Sequence, residues 1–241
     1  MSMNADEQKL LDDLVSKLKL ADGNLRAVIL YGSAASGEYH PEFSDLNVLC
    51  LMERLDAASL KKISPVVAWW QQQRQPPLML LTLEELRRSA DVFAIELYDM
   101  KARHRALYGE DILSTLEVPM GLHRLQVERE LRTSIIKLRT HYLAAADDAK
   151  RIVRLMADSV STFVTLFRHA LIALGEQAPS QKREVVKRMA ALLKFDAKPF
   201  ESVLDLREKR IKGDELDADE WFSGYLNIVE LVVDEVDRRL S

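Results

Sequence analysis

The stretch Val28-Ile29-Leu30-Tyr31-Gly32-Ser33, followed about a dozen residues later by Asp45-Leu46-Asn47-Val48-Leu49, decides the fold. Val28 to Tyr31 is short, apolar and β-branched at its centre, which predicts a buried strand. Gly32 ends it. A glycine there lets the backbone turn sharply and admits a phosphate where a Cβ would stand in the way. The Ser33 hydroxyl and the N–H groups of a following helix are then candidates to hold phosphate oxygens. A second strand is predicted from Asp45 to Met52. Residues two apart on a strand share a face, so Asp45 and Asn47 point one way while Leu46 and Val48 point into the core. Two oxygen ligands on one face at a strand end suit Mg²⁺, which takes hard oxygen donors and shares itself with substrate phosphates.

Outward from this stretch the chain changes style. Upstream, Leu11, Leu14, Val15 and Leu18 keep the spacing of an amphipathic helix, stopped by Gly23. Downstream, residues 56–75 are helical in character, with Ser64 expected to cap a new helix at Pro65 and Pro76-Pro77 to end it. Leu78 to Leu81 reads as a strand, Thr82 with Glu85 as a capping box, and Val92 to Asp99 as a further strand. A last strand is expected to end at Tyr108-Gly109. Strands alternating with helices imply an α/β sheet layer. Past Val118-Pro119 the periodic runs are helical, at 122–142, 148–174, 181–193, 199–211 and 218–239. The expected organisation is an α/β domain with a mixed sheet over residues 1–117 and an all-α helical bundle over residues 118–241.

Composition narrows the classes. The 241 residues carry 34 Lys and Arg against 38 Asp and Glu, a formal charge of −4. Eight Gly and seven Pro with 30% charged residues fit a largely helical chain rather than a sandwich or a disordered one. The single cysteine, Cys50, excludes an internal disulfide and a multi-cysteine zinc site, and its apolar neighbours make it a small buried hydrophobe. The slight acidity gives no general attraction to nucleic acid or to anionic membranes. The polar, acidic first residues do not read as a signal peptide, and no apolar run approaches the ~18 residues of a membrane span. A cytoplasmic location is the expectation.

Gly32, Ser33 and Asp45, set between two apolar strands, resemble the signature of the nucleotidyltransferase superfamily that includes DNA polymerase β and kanamycin nucleotidyltransferase. That signature is an apolar strand, Gly-Ser or Gly-Gly, a spacer, then Asp-x-Asp or Asp-x-Glu. Asn47 stands where the second carboxylate belongs. The resemblance implies transfer of a nucleoside monophosphate from a nucleoside triphosphate, with ATP the expected donor, to a hydroxyl of a small molecule or a protein. It implies that Gly32 and Ser33 bind the triphosphate and that Mg²⁺ sits on Asp45, Asn47 and a third carboxylate from a later strand. Glu96 is the first candidate for that third position, with Asp91 and Asp99 behind it. Asp45 and Glu96 would carry the chemistry. The resemblance also implies a helical C-terminal domain that helps bind the acceptor. An Asn carbonyl ligates without adding negative charge, so weaker metal binding, with one ion rather than two, is expected.

Other motifs fail. Gly32-x4-Gly37 mimics the start of a P-loop, but Glu38-Tyr39 follow where Lys and then Ser or Thr are needed. No Cys-x-x-Cys and no His-Glu-x-x-His occurs. His40 falls in the spacer near the candidate site and reads as a solvated loop residue. His104, between Lys101 and Arg105, reads as part of a charged helix face. His123, His141 and His169 lie on bundle helices, and none has the Arg four to six residues upstream that marks the RNases among related helical domains. Arg124, Arg129, Arg132, Lys137, Arg139, Arg151 and Arg154 read as a solvated face with acidic neighbours. Of Trp69 and Trp70, one is expected in the core and the other near the surface.

A rival of another class stands beside the transferase. It is an NTP-binding or protein-interaction module that keeps the fold for regulation without catalysis. A second carboxylate converging with Asp45 and Asn47 favours the enzyme; Asp45 alone, with Asn47 turned away, favours the module.

Overall fold

The structure, a computed structural model, describes residues 4–35, 45–213 and 217–240. The chain divides into two compact units, Met1–Pro119 and Met120–Ser241. The spacer that holds Gly37, Glu38, Tyr39 and His40 lies outside the described residues.

In the first unit, α1 (Ala5–Ala21) opens on Asn4, whose side chain accepts from the Glu7 N–H in a complete capping box. β1 (Leu25–Tyr31) and β2 (Asn47–Met52) follow, then α2 (Ala57–Gln72), β3 (Met79–Thr82), α3 (Leu83–Arg88), α4 (Ala94–Ala102), β4 (His104–Gly109) and α5 (Ile112–Thr115). The four strands form one sheet in the order β3-β2-β1-β4. β1 runs antiparallel to both β2 and β4, and β2 runs parallel to β3, so the sheet is mixed. Strand alternation sorts two cores. Val28, Leu30, Leu46, Val48, Cys50 and Met52 pack with Leu11, Leu14 and Leu18 of α1 and Ile63 and Trp70 of α2. On the opposite face Ala27, Ile29, Leu49 and Leu51 pack with Leu86 of α3, Leu97 and Met100 of α4 and Leu113 of α5. The Thr82–Glu85 capping box forms as read, with hydrogen bonds in both directions.

Two local readings change. Residues Val92 to Asp99 are not a strand: α4 occupies Ala94–Ala102. Their apolar residues fit a loose alternation, but the buried residues are Ala94, Ile95, Leu97 and Met100, of which Ala94, Leu97 and Met100 share a helical face, and Ala, Leu and Met are strong helix formers. Nor does a helix start at Ser64-Pro65. α2 is capped at Asp56 and runs through Pro65, which sits on its exposed side.

The second unit is helical among its described residues. α6 (Met120–Leu143), α7 (Ala149–Ala173), α8 (Lys182–Leu193), α9 (Lys198–Arg207) and α10 (Ala218–Leu240) enclose a core in which Phe163, Phe167, Phe200 and Tyr225 are fully buried. Phe200 stacks on Tyr225 with centroids 4.3 Å apart, and the Tyr225 hydroxyl meets Ser159 Oγ at 3.0 Å. Aromatic pairs add roughly 0.5–1.5 kcal/mol each beyond their buried area. Much of the basic residue set is neutralised locally. Arg132 pairs with Glu128 and Asp237, Arg139 with Glu230, and Arg124 donates to the Ala173 carbonyl. No helix among the described residues is long and apolar enough to cross a membrane.

Candidate nucleotide site

The site is built at the end of β1. Gly32 takes φ +83°, a left-handed turn that an L side chain rarely adopts. Its N–H donates to the Arg103 carbonyl at 2.9 Å, which ties the turn to the junction of α4 and β4. The Gly32 N–H is therefore spent inside the protein. Ser33 to Ala35 form a single 3₁₀ turn, closed by the Ala35 N–H to the Gly32 carbonyl at 3.0 Å. The described residues after Gly32 thus hold a three-residue turn where a following helix was expected.

Across the sheet, Tyr31 lies opposite Asn47 of β2 on one side and His104 of β4 on the other. The row Asn47–Tyr31–His104 belongs to the face that carries Ile29 and Leu49, the same face that α4 covers. Asp45 precedes the strand and is exposed, while Leu46 and Val48 are buried in the other core, as alternation requires. Asn47 is half-buried and turned toward the turn: a Cβ on Gly32 would lie 3.5 Å from its Nδ2. The amide oxygen therefore points away from that contact. Burial pushes the Tyr31 phenol up.

Gly32, Ser33, Tyr31 and Asn47 are brought together. Glu96 is not on a strand; it lies on α4, exposed to solvent. Asp99 lies three residues further along the same helix, half-buried, with Oδ1 shut off from solvent. The Asp99 carbonyl accepts the N–H of Arg103, so it stands one helical turn from the residue that receives Gly32. The Asp91 side chain lies outside the described set. Among the described residues no three His, Cys, Asp or Glu converge. Mg²⁺ ordinarily needs only one or two carboxylates when it also binds substrate phosphates. The Asp45 carboxylate and the Asn47 amide oxygen fit one such ion arriving on a triphosphate; they do not fit a pair of ions held by protein alone.

Other residues settle into structural places. Trp70 is fully buried and donates from Nε1 to the Pro76 carbonyl at 2.8 Å, while Trp69 is half-buried beneath the Lys17 ammonium. Cys50 is buried and its thiol is pushed up to about 12, so it is inert. His123 and His169 are buried against each other, Nε2 to Nδ1 at 2.9 Å. Arg168 Nη2, which can only donate, lies 3.2 Å from His169 Nε2.

His104 was missed from sequence. It opens β4, and its side chain is 10% exposed. Its Nε2 lies 2.7 Å from Asp111 Oδ1 and its Nδ1 3.0 Å from the Lys101 carbonyl. Burial works against the charged Asp111, yet hydrogen bonds from Ser114 and His104 hold its carboxyl below the usual value. The available signal was the spacing of His104 and Asp111, which flank a single strand.

Residues 8–102 match the family model described as a nucleotidyltransferase domain. The match runs from α1 to the end of α4 and takes in the Gly32–Ser33 turn and the head of β2. The first unit is therefore a nucleotidyltransferase-superfamily domain, followed in the chain by a helical unit. No curated protein matches the chain.

Proposed function

We propose that the protein transfers a nucleoside monophosphate from a Mg²⁺-bound nucleoside triphosphate, ATP in the first instance, to a hydroxyl of a small molecule or a protein. The observation that carries this is the pairing of a strand-ending Gly32 at positive φ with the Asp45–Asn47 strand head beside it. Gly32 leaves room for a phosphate and Ser33 offers its hydroxyl to it. Asp45 and Asn47 would hold the Mg²⁺, which would neutralise charge on the phosphates. The acceptor oxygen forms a bond to the α-phosphorus, the bond from that phosphorus to the bridging oxygen breaks, and pyrophosphate leaves. The acceptor's proton goes to a carboxylate of α4. Asp99 is assigned that role ahead of Glu96, because it is one turn from the carbonyl that holds Gly32 and half-buried, whereas Glu96 is exposed. A cytoplasmic setting suits this chemistry.

The second reading, nucleotide binding without transfer, is favoured by one observation: among the described residues Asp45 is the sole carboxylate at the strand head, and no three His, Cys, Asp or Glu converge. The experiment has two steps. Thermal unfolding is followed with each of the four NTPs, with and without Mg²⁺, since a ligand at 100 times its Kd stabilises by about 2.7 kcal/mol. The best NTP, labelled at the α-phosphate, is then incubated with candidate hydroxyl acceptors and with the protein itself. Stabilisation with label transfer supports the transferase. Stabilisation without transfer or pyrophosphate release supports the binding module. No stabilisation by any NTP removes both.

A further inference from the structure

We propose that His104 is a positioning residue of the phosphate turn, an inference that rests on reading Gly32–Ser33 as the seat of the triphosphate. The turn is tied to the end of α4 by the Gly32 N–H, which donates to the Arg103 carbonyl at 2.9 Å. Where that carbonyl sits depends on what fixes residues 101–104, and His104 fixes them in two directions. Its Nδ1 reaches back 3.0 Å to the carbonyl of Lys101, in the last turn of α4. Its Nε2 reaches forward 2.7 Å to Asp111, the residue that caps α5. A carbonyl and a carboxylate can only accept, so each ring nitrogen faces an acceptor, and the ring bridges a helix C-terminus and a carboxylate. Ser114 Oγ donates to the other oxygen of Asp111 at 2.5 Å and fixes it in turn. A second tie runs beside the first: Lys101 Nζ donates to the Leu116 carbonyl at 2.7 Å. The end of α4 and the segment after β4 are thus stapled together one residue from the carbonyl that holds the turn.

The cluster is not a nucleophilic relay. Asp111 and Ser114 approach the same nitrogen of His104, and the Ser114 proton is directed at Asp111. A relay needs the acid on one nitrogen and the hydroxyl on the other. The matched family region ends at residue 102, so His104, Asp111 and Ser114 lie outside it.

The test reads the turn directly. Amide exchange of Gly32 is measured by NMR in the unliganded wild type, in His104→Ala and in Asp111→Asn, and MgATP affinity is measured by calorimetry in the same three proteins. Loss of a hydrogen bond to a charged group is worth about tenfold or more. His104→Ala is expected to speed Gly32 exchange about tenfold and to weaken MgATP about tenfold. The amides of Ile29 and Leu49, mid-ladder on the same face, should keep their rates. Asp111→Asn, which retains the shape and the ring, should move both readings in the same direction by a smaller factor. Unchanged Gly32 exchange in both variants overturns the proposal. So does equal acceleration at Gly32, Ile29 and Leu49, which would make His104 a matter of general stability. A wild type that binds no triphosphate overturns it through its premise; a Gly32 response still present then tells that failure from a failure of the staple.

Discussion

Alanine at Gly32 and alanine at Gly109 should cost different amounts and damage different properties. Both glycines have positive φ, +83° and +78°. An L residue in that region costs about 1–2 kcal/mol, and losing a glycine's freedom in the unfolded chain returns about 0.4–1 kcal/mol. At Gly32 there is nothing more to add, because among the described residues the new Cβ would meet only Asn47 Nδ2 at 3.5 Å, an ordinary contact. The net cost of Gly32→Ala is then about 1 kcal/mol. At Gly109 the new Cβ would lie 2.0 Å from the Arg26 carbonyl oxygen, backbone against backbone in the β1–β4 ladder. The strands must part, adding about 1–3 kcal/mol of overpacking to the φ cost, for a total near 3 kcal/mol. Urea unfolding of both variants gives the stabilities, and calorimetry with MgATP gives the affinities. Gly32→Ala should lose most of its triphosphate affinity while remaining well folded. Gly109→Ala should be the less stable of the two, yet whatever folds should bind. Equal stabilities would refute the steric argument. Full MgATP affinity in Gly32→Ala would refute the placement of phosphate at the turn.

Four further outcomes are expected. Asn47→Asp adds a negative charge beside Asp45 and should tighten Mg²⁺ binding in calorimetry, since hard cations follow ligand charge; an unchanged affinity would take Asn47 out of the metal seat. Ser33→Ala should weaken triphosphate binding by about 1–2 kcal/mol, the scale of a hydrogen bond to a charged group, and unchanged affinity would remove Ser33 from the site. Pro65→Ala restores a mid-helix N–H at an exposed position of α2 and should raise stability in urea by about 1–3 kcal/mol; a loss would mean that α2 depends on its proline. Hydrogen bonds from the Thr82 N–H and hydroxyl hold Glu85 below its ordinary value of 4.5. A lowered carboxyl contributes stability above its unfolded pKa and loses it as pH falls through the folded one. Glu85→Gln should therefore lower stability at pH 7 and narrow the gap to wild type as the pH drops below about 4, and a gap that does not narrow would refute the capping role.

What was legible in the sequence was whatever local chemistry alone determines. Val28 to Tyr31 and Asn47 to Met52 are strands because β-branched and apolar residues bury both faces there, and the two cores of the sheet divide them by parity. The Thr82 capping box was legible because four residues satisfy it by themselves. The segment Val92 to Asp99 was not, since Ala94-Ile95-Glu96-Leu97 fits alternation and helical spacing alike over so few residues. Only the faces that Leu97 and Met100 must cover, on Ile29 and Leu49, select the helix. His104 was hidden for a similar reason. Neighbouring Lys101 and Arg105 made it read as one charge among many, while its partners are a carbonyl three residues back and a carboxylate seven residues on, across a strand.

That misreading bears on the chemistry as well as on the fold. On a strand, Glu96 would have shared a face with every second residue, as the expected third ligand requires. On α4 a carboxylate reaches the strand head only from the helix surface, and its approach is governed by the end of the helix rather than by strand register. The end of α4 is the Arg103 carbonyl, which holds Gly32. In the function proposed above, Asp99, a single turn from that carbonyl, takes the role that Glu96 would have had on a strand. With Asn47 in place of a second carboxylate, Asp45 carries the charge of that pair alone, and in the proposed function a Mg²⁺ ion would arrive with its phosphates. Affinity for Mg²⁺ and affinity for the triphosphate should then be strongly coupled, each raising the other by the same factor. Calorimetry of Mg²⁺ alone, of ATP alone and of the two together checks this, and tight Mg²⁺ binding without nucleotide would refute it.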